Sequence, residues 1–228
     1  MKNILIVGAS SGIGKEIAKQ FLNLEDYNLI LASRSKPDLE GDFQYRELDV
    51  MGEVDLDLPD ELHGLVYAPG SINLKPFHRL NEEDFLNDFQ LNTIGAVKVI
   101  QTALKSLKNS KNASIVLFST VAVGNGLSFH TSVSSAKGAL EGLGRALSAE
   151  LAPHIRVNMI APSLTDTPLA ERLLSSDEKR KANAERHPLK KIGTTSDIAN
   201  AARYLLTDES AWTTGQTLTI DGGLSVIR

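Results

Sequence analysis

Cysteine is absent from the 228 residues, which excludes disulfides, thiolate-held metal ions and a cysteine nucleophile together. That suits a reducing compartment, and no metal site is expected. An excess of basic residues is also lacking: 24 Lys and Arg stand against 28 Asp and Glu, a formal net charge of -4. A nucleic-acid partner ordinarily demands a basic face, so none is expected. No apolar run is long enough to span a bilayer, and Met1-Lys2-Asn3 leads straight into an apolar stretch with no small-residue cleavage site behind it. The expected setting is cytoplasmic, away from the membrane. Repeats, low-complexity tracts and linkers are missing as well, so residues 1–228 read as one domain, and a hydrophobic share of 42% suffices for a large core.

What is present begins with Ile4-Leu5-Ile6-Val7, a continuous apolar run of the kind shown by a strand buried on both faces. It enters Gly8-Ala9-Ser10-Ser11-Gly12-Ile13-Gly14. Glycines at a strand-to-helix turn let the backbone approach a pyrophosphate, and the helix that follows offers unpaired N–H groups and a positive dipole end. A dinucleotide is the natural ligand, cradled by Gly8, Ser10, Ser11, Gly12, Ile13 and Gly14. The spacing is G-x-x-x-G-x-G rather than G-x-G-x-x-G, so the loop alone does not identify a dehydrogenase. A helix over 13–22 follows from the spacing of Ile13, Ile17, Ala18, Phe21 and Leu22, then a strand over 28–32 that ends at Ser33-Arg34. In dinucleotide folds an acidic residue near this strand end binds a ribose hydroxyl, whereas an arginine accommodates a 2′-phosphate. Ser33 with Arg34 beside it favours NADP(H) over NAD(H).

Further strands are expected over 43–50, 63–67, 114–118, 155–160 and 216–220. Helices are expected from an Asn81 cap past Asn92 toward Leu107, over 134–151, and from a Ser196-Asp197 cap to Leu206. The segment 167–187 is rich in Glu, Arg, Lys and Ser and reads either as a mobile helical lid or as a solvated helix pair. An asparagine inside a helix, Asn92, calls for an explanation of its own.

In order and spacing these pieces resemble the short-chain dehydrogenase/reductase family along essentially the whole chain. The family's T-G-x-x-x-G-I-G is met from Val7 to Gly14, with Val in place of Thr. Its Asp-Val, whose aspartate bonds the adenine amino group, matches Asp49-Val50. Its Asn-Asn-Ala-Gly is altered to Tyr67-Ala68-Pro69-Gly70, keeping Gly70. Its mid-helix Asn, which supports a helix bend and a bound water, matches Asn92. Its R-V-N…P-G…T run matches Arg156-Val157-Asn158, Pro162 and Thr167, with Ser163 replacing the glycine and Thr167 on the nicotinamide side. The resemblance implies a single Rossmann-type α/β domain, a doubly wound parallel sheet of about seven strands in the order 3-2-1-4-5-6-7. It also implies an NADP(H)-dependent interconversion of a carbonyl and an alcohol on a small-molecule substrate, and a homodimer or homotetramer.

The active segment departs from the family. There a Ser holds the substrate oxygen, a Tyr transfers the proton, and a Lys one helical turn beyond the Tyr lowers its pKa and binds ribose. Lys137 matches the lysine and Thr120 the serine, but the tyrosine's place holds Val133, which neither donates nor accepts. Either the proton comes from another group, namely His130 or a water held by Lys137 and Asn92, or the chain binds a dinucleotide without chemistry. His130 stands seven residues before Lys137, the Tyr-to-Lys spacing of the related enoyl reductases, whose glycine motif differs.

Overall fold

The structure, a computed structural model, describes residues 1–227. Strands β1 (Lys2–Val7), β2 (Tyr27–Ser33), β3 (Gln44–Glu47), β4 (Gly64–Tyr67), β5 (Ala113–Phe118), β6 (Ile155–Pro162) and β7 (Thr217–Ile220) form one sheet in the order β3-β2-β1-β4-β5-β6-β7. Every pairing is parallel. Both faces of such a sheet must be covered, which is why β1, β4 and β5 are nearly unbroken apolar runs. Along β1, Leu5 and Val7 face one layer while Ile4 and Ile6 face the other, the alternation a strand imposes. The first layer holds α3 (Gly95–Asn109) and α5 (Thr131–Leu151), through Val99, Ile100, Ala103 and Leu140. The second holds α1 (Gly12–Leu22) and α7 (Thr195–Leu206), through Ile17, Phe21, Ile198 and Leu205. The chain order reverses direction at β1 and β4, and a sheet of this kind opens a crevice at the carboxyl ends of its strands there.

Local chemistry sets the ends of these elements, and it corrects several expected ones. The strand expected over 43–50 stops at Glu47. Asp49 turns the chain by accepting the Met51 N–H on its own side chain while its carbonyl takes the Gly52 N–H, an Asx turn that ends the edge strand. The last long helix is capped by Thr194, not by Ser196-Asp197. Thr194 Oγ1 accepts the Asp197 N–H at 3.1 Å and Asp197 Oδ2 accepts the Thr194 N–H at 2.9 Å, a reciprocal capping box. The helix expected over 134–151 begins earlier, at Thr131, and so includes Val133. Asn81 does cap α2 (Glu82–Phe89), in a second capping box with Asp84.

The helix that starts with α2 does not run straight on to α3. Residues Gln90–Ile94 form a π-turn containing Asn92, whose Nδ2 donates to the Asp88 carbonyl at 2.8 Å. That carbonyl is the one the Asn92 N–H takes in a regular α-helix, so the side chain has inserted into the ladder. A short helix α4 (Ala122–Asn125) follows β5. The segment 167–187, read as a helical lid or a solvated helix pair, is helical: a 3-10 stretch at Pro168–Leu173 and α6 (Asp177–Glu185). Among the described residues no helix is long and apolar enough to cross a membrane.

The capping geometry carries a direct test. Thr194→Ala removes a side-chain acceptor and lowers stability by about 1 kcal/mol, whereas Ser196→Ala changes it by well under half of that. Urea unfolding midpoints of the two variants measure the difference.

Candidate active site

Two cavities open at the carboxyl ends of the central strands, and they meet. The larger, about 620 Å³, runs from the loop after β1 across the ends of β2 and β4. Its wall contains Gly8, Ser10, Ser11, Gly12, Ile13, Gly14, Arg34, Asp49, Val50, Gly70 and Thr167. These are all the residues that sequence reasoning assigned to a cofactor, apart from Lys137. The smaller cavity, about 270 Å³, is mostly apolar, with Ile72, Leu74, Leu127, Val133, Leu164 and Leu173 in its wall, and Thr120, His130 and Lys137 among them. Ile13, Ala68, Gly70, Ser71, Thr167 and Leu169 belong to both walls, so the two cavities are contiguous there.

The larger cavity exists because the loop after β1 is folded tightly against β4. Gly8 sits at φ +84°, and a Cβ on it would lie 3.0 Å from the Pro69 ring. A Cβ on Gly14 would run into the Gly8 carbonyl. Only glycine allows both. The tight turn leaves the first N–H groups of α1 facing the cavity; Ser11, its cap, makes no side-chain bond to them. A helix start of this kind accepts an anion, and Arg34 from the end of β2 adds a positive charge to the same wall. Tyr67, at the end of β4, is fully buried and donates to the Leu91 carbonyl at 2.6 Å, and burial, with a smaller contribution from the Asp49 charge, raises its phenol well above the ordinary value.

Lys137 lies on α5 with 6% of its surface exposed, and its Nζ donates to the Phe118 carbonyl at 2.6 Å. Burial brings its pKa down to about 8, and the negative charge of Asp88 opposes that fall. Asp88, 3% exposed, accepts from Ser71 Oγ at 2.5 Å, and Ser71 Oγ in turn accepts from Asn92 Nδ2 at 3.0 Å. Asn92 Oδ1 is buried and has no hydrogen-bond partner among the described residues. Space over Gly70 separates it from the lysine: a Cβ built there would stand 3.4 Å from Asn92 Oδ1 and 3.5 Å from Lys137 Nζ. An orphaned acceptor and a buried ammonium around one small space suit a hydroxyl-bearing ligand such as a ribose. The residues present therefore fit a dinucleotide cofactor.

His130 is the residue before α5, and its Nδ1 lies 2.8 Å from the Ser128 carbonyl. A carbonyl only accepts, so Nδ1 carries the hydrogen and Nε2 is the nitrogen left to exchange a proton. Val133 is 5% exposed and lies one helical turn from Lys137 in the same wall. Thr120 Oγ1 accepts the Ala122 N–H at 3.3 Å and keeps its own hydrogen for another acceptor. Asn92 lines neither cavity directly but backs Gly70 and Ser71.

Three groups here were not found by sequence reasoning: Asp88, Ser71, and a hydrogen-bonded pair made by Ser163 and His187. Asp88 stands four residues before Asn92, the spacing that puts two side chains on one helix face, and that signal was available. Ser71 simply follows Gly70. Nothing in the sequence near His187 marks it. Among the described residues no group of His, Asp and Glu is arranged to hold a metal ion.

Comparison with known proteins adds kinship to this geometry. A family model described as "Enoyl-(Acyl carrier protein) reductase" matches residues 8–225. The chain is 31% identical over 236 residues to an L-xylulose reductase of Bos taurus, covering 97% of this chain and 96% of that one. A short-chain type dehydrogenase/reductase from Mycobacterium ulcerans superposes with a TM-score of 0.88 at 26% identity, covering 100% of this chain and 90% of that one. ElxO with NADP bound superposes with a TM-score of 0.87 at 27% identity, covering 98% of both chains.

The buried lysine has a measurable signature. Below about pH 8 Lys137 is charged in both folded and unfolded chains and the folded chain bears the whole desolvation cost. Between that pH and the ordinary lysine value the unfolded chain holds more protons, so stability rises with pH. Without cofactor, the parent therefore gains stability relative to Lys137→Met as pH rises above about 8; paired urea titrations across this range read it.

Proposed function

The chain belongs to the short-chain dehydrogenase/reductase family, and on that footing we propose that it is an NADP(H)-dependent oxidoreductase that interconverts a carbonyl and an alcohol with an atypical proton donor, His130. The observation that carries the reading is the meeting of the two cavities at Gly70 and Ser71, with Lys137 and Thr120 in the wall beside that junction. The cofactor, when bound, supplies the hydride. Gly8 to Gly14 and the start of α1 hold its phosphates, Asp49 and Val50 its adenine, and Arg34 with Ser10 or Ser11 the 2′-phosphate. Lys137 holds the ribose next to the nicotinamide, Asn92 backs that position and holds a water, and Thr167 borders the ring. ElxO, a structural relative described with NADP bound, supports this choice of cofactor.

The substrate carbonyl oxygen takes a hydrogen bond from Thr120. With the cofactor bound, reduction would gather negative charge on that oxygen, and a proton would have to be supplied there. Val133 stands where the family has its tyrosine and has none to give. His130 Nε2 delivers the proton in our reading, leaving a neutral ring whose Nδ1–H stays on the Ser128 carbonyl. The ring is partly exposed and regains its proton from water. In the oxidation direction the same nitrogen removes the alcohol proton.

NADPH oxidation with a panel of ketones and aldehydes tests this. His130→Ala lowers kcat by about a hundred- to ten-thousandfold and leaves NADPH binding in place. An intact protein that binds NADPH and turns over no carbonyl, together with a Val133→Tyr variant that gains turnover, would make the chain a dinucleotide-binding protein without chemistry. For the cofactor, Arg34→Ala weakens NADPH by about tenfold or more and leaves NADH nearly unchanged; fluorescence titration of both separates them.

A further inference from the structure

The smaller cavity has a second polar region that the proposed reduction does not use. Ser163 follows β6, and its Oγ lies 2.9 Å from Nε2 of His187. His187 is 4% exposed, and its Nδ1 lies 2.9 Å from the Asn183 carbonyl on α6. Both side chains line the cavity, together with Arg186. Arg186 is exposed, and among the described residues it makes no salt bridge to a carboxylate; its one polar contact is a 3.5 Å hydrogen bond to Asn183 Oδ1. The nearby wall also holds Leu164, Leu173 and Leu224, with Thr165, whose Oγ1 donates to the Ser163 carbonyl.

The hydrogen bonds of His187 define two states. The Asn183 carbonyl fixes a hydrogen on Nδ1. In the neutral ring Nε2 therefore accepts from the Ser163 hydroxyl. In the protonated ring Nε2 donates to Ser163 Oγ, and the hydroxyl hydrogen turns outward to an acceptor. A guanidinium in the same wall as a hydroxyl released by an imidazolium is a site for an anion. The charged groups around the ring are Arg186, then Lys191 and Asp197, which share with Ser163 and His187 a smaller cavity behind it, and Asp221 after β7. Asp221 is held by the N–H groups of Gly223 and Ser225, so it stays ionised near the ring.

We propose that Ser163, His187 and Arg186 form a carboxylate subsite in the smaller cavity, so that the substrate is an oxo acid whose binding takes up one proton at His187. The word substrate rests on the reductase reading; the subsite itself does not.

Calorimetric titration of the NADP-saturated protein with pyruvate, acetoacetate and levulinate, and with the primary amide of each, tests the subsite without turnover. At least one acid binds about tenfold or more tighter than its amide. Its heat varies with the ionisation enthalpy of the buffer, as proton uptake requires. Arg186→Gln and, separately, Ser163→Ala reduce the acid to the affinity of the amide, with thermal melts confirming that each variant is folded. Equal affinity of acid and amide throughout, no binding by any acid, or an advantage that survives both substitutions overturns the proposal. Reduction of neutral ketones without preference for acids sinks the subsite alone, whereas acid binding without any NADPH oxidation sinks the reductase reading alone.

Discussion

The contact on which this architecture turns is one of backbone against backbone, where the Gly8 carbonyl lies under the start of α1 and Gly8 itself lies against Pro69 at the end of β4. Gly8 also donates its N–H to the Ala32 carbonyl at the end of β2 at 2.8 Å. Three neighbouring strand ends are thereby fixed relative to one helix N-terminus. A methyl group at Gly14 would push α1 off the sheet, and the groove that separates Arg34 from Gly70 would lose its floor. The close approach serves the ligand as much as the fold, since it places free N–H groups where phosphates must lie.

The second constraint is electrostatic. Burying an ammonium and a carboxylate near one another costs stability unless each is well bonded, and replacing such a pair by apolar residues is often neutral or favourable. Lys137 and Asp88 are both nearly inaccessible, yet they sit where the two cavities join. The π-turn at Asn92 belongs to the same arrangement, because it brings Nδ2 to Ser71 and leaves Oδ1 unpartnered. A cost accepted at the junction of two cavities, and not in the middle of the core, marks a site that ligand binding completes.

Much of this was legible in the sequence. Strands buried on both faces announce themselves as apolar runs, and the glycine loop and Arg34 sit at strand ends that chain order alone places together. That is why the residues assigned to a cofactor, apart from Lys137, line a single groove. The edge of the sheet was less legible, since Phe43 to Val50 is continuous in pattern but the Asx turn at Asp49 ends the strand early. The α7 cap was misplaced by two residues because Thr194, Ser196 and Asp197 are all capable caps, and only the geometry chooses. Asp88 went unseen although its spacing to Asn92 was legible, and Ser163 was noted only as a replacement for the family's glycine. The contacts of Ser71 with Asp88 and of Ser163 with His187 span 17 and 24 residues, which no local pattern encodes.

The central claim is that the two cavities are halves of one reaction site, joined at Gly70 and Ser71. It is tested most directly by incubating the protein with NADPH carrying deuterium at the transferable C4 position and a ketone or oxo acid, and examining the product alcohol by mass spectrometry and NMR. The account predicts deuterium on the new carbinol carbon, none of it exchanged with water. A bound cofactor that delivers no deuterium to any carbonyl would contradict it.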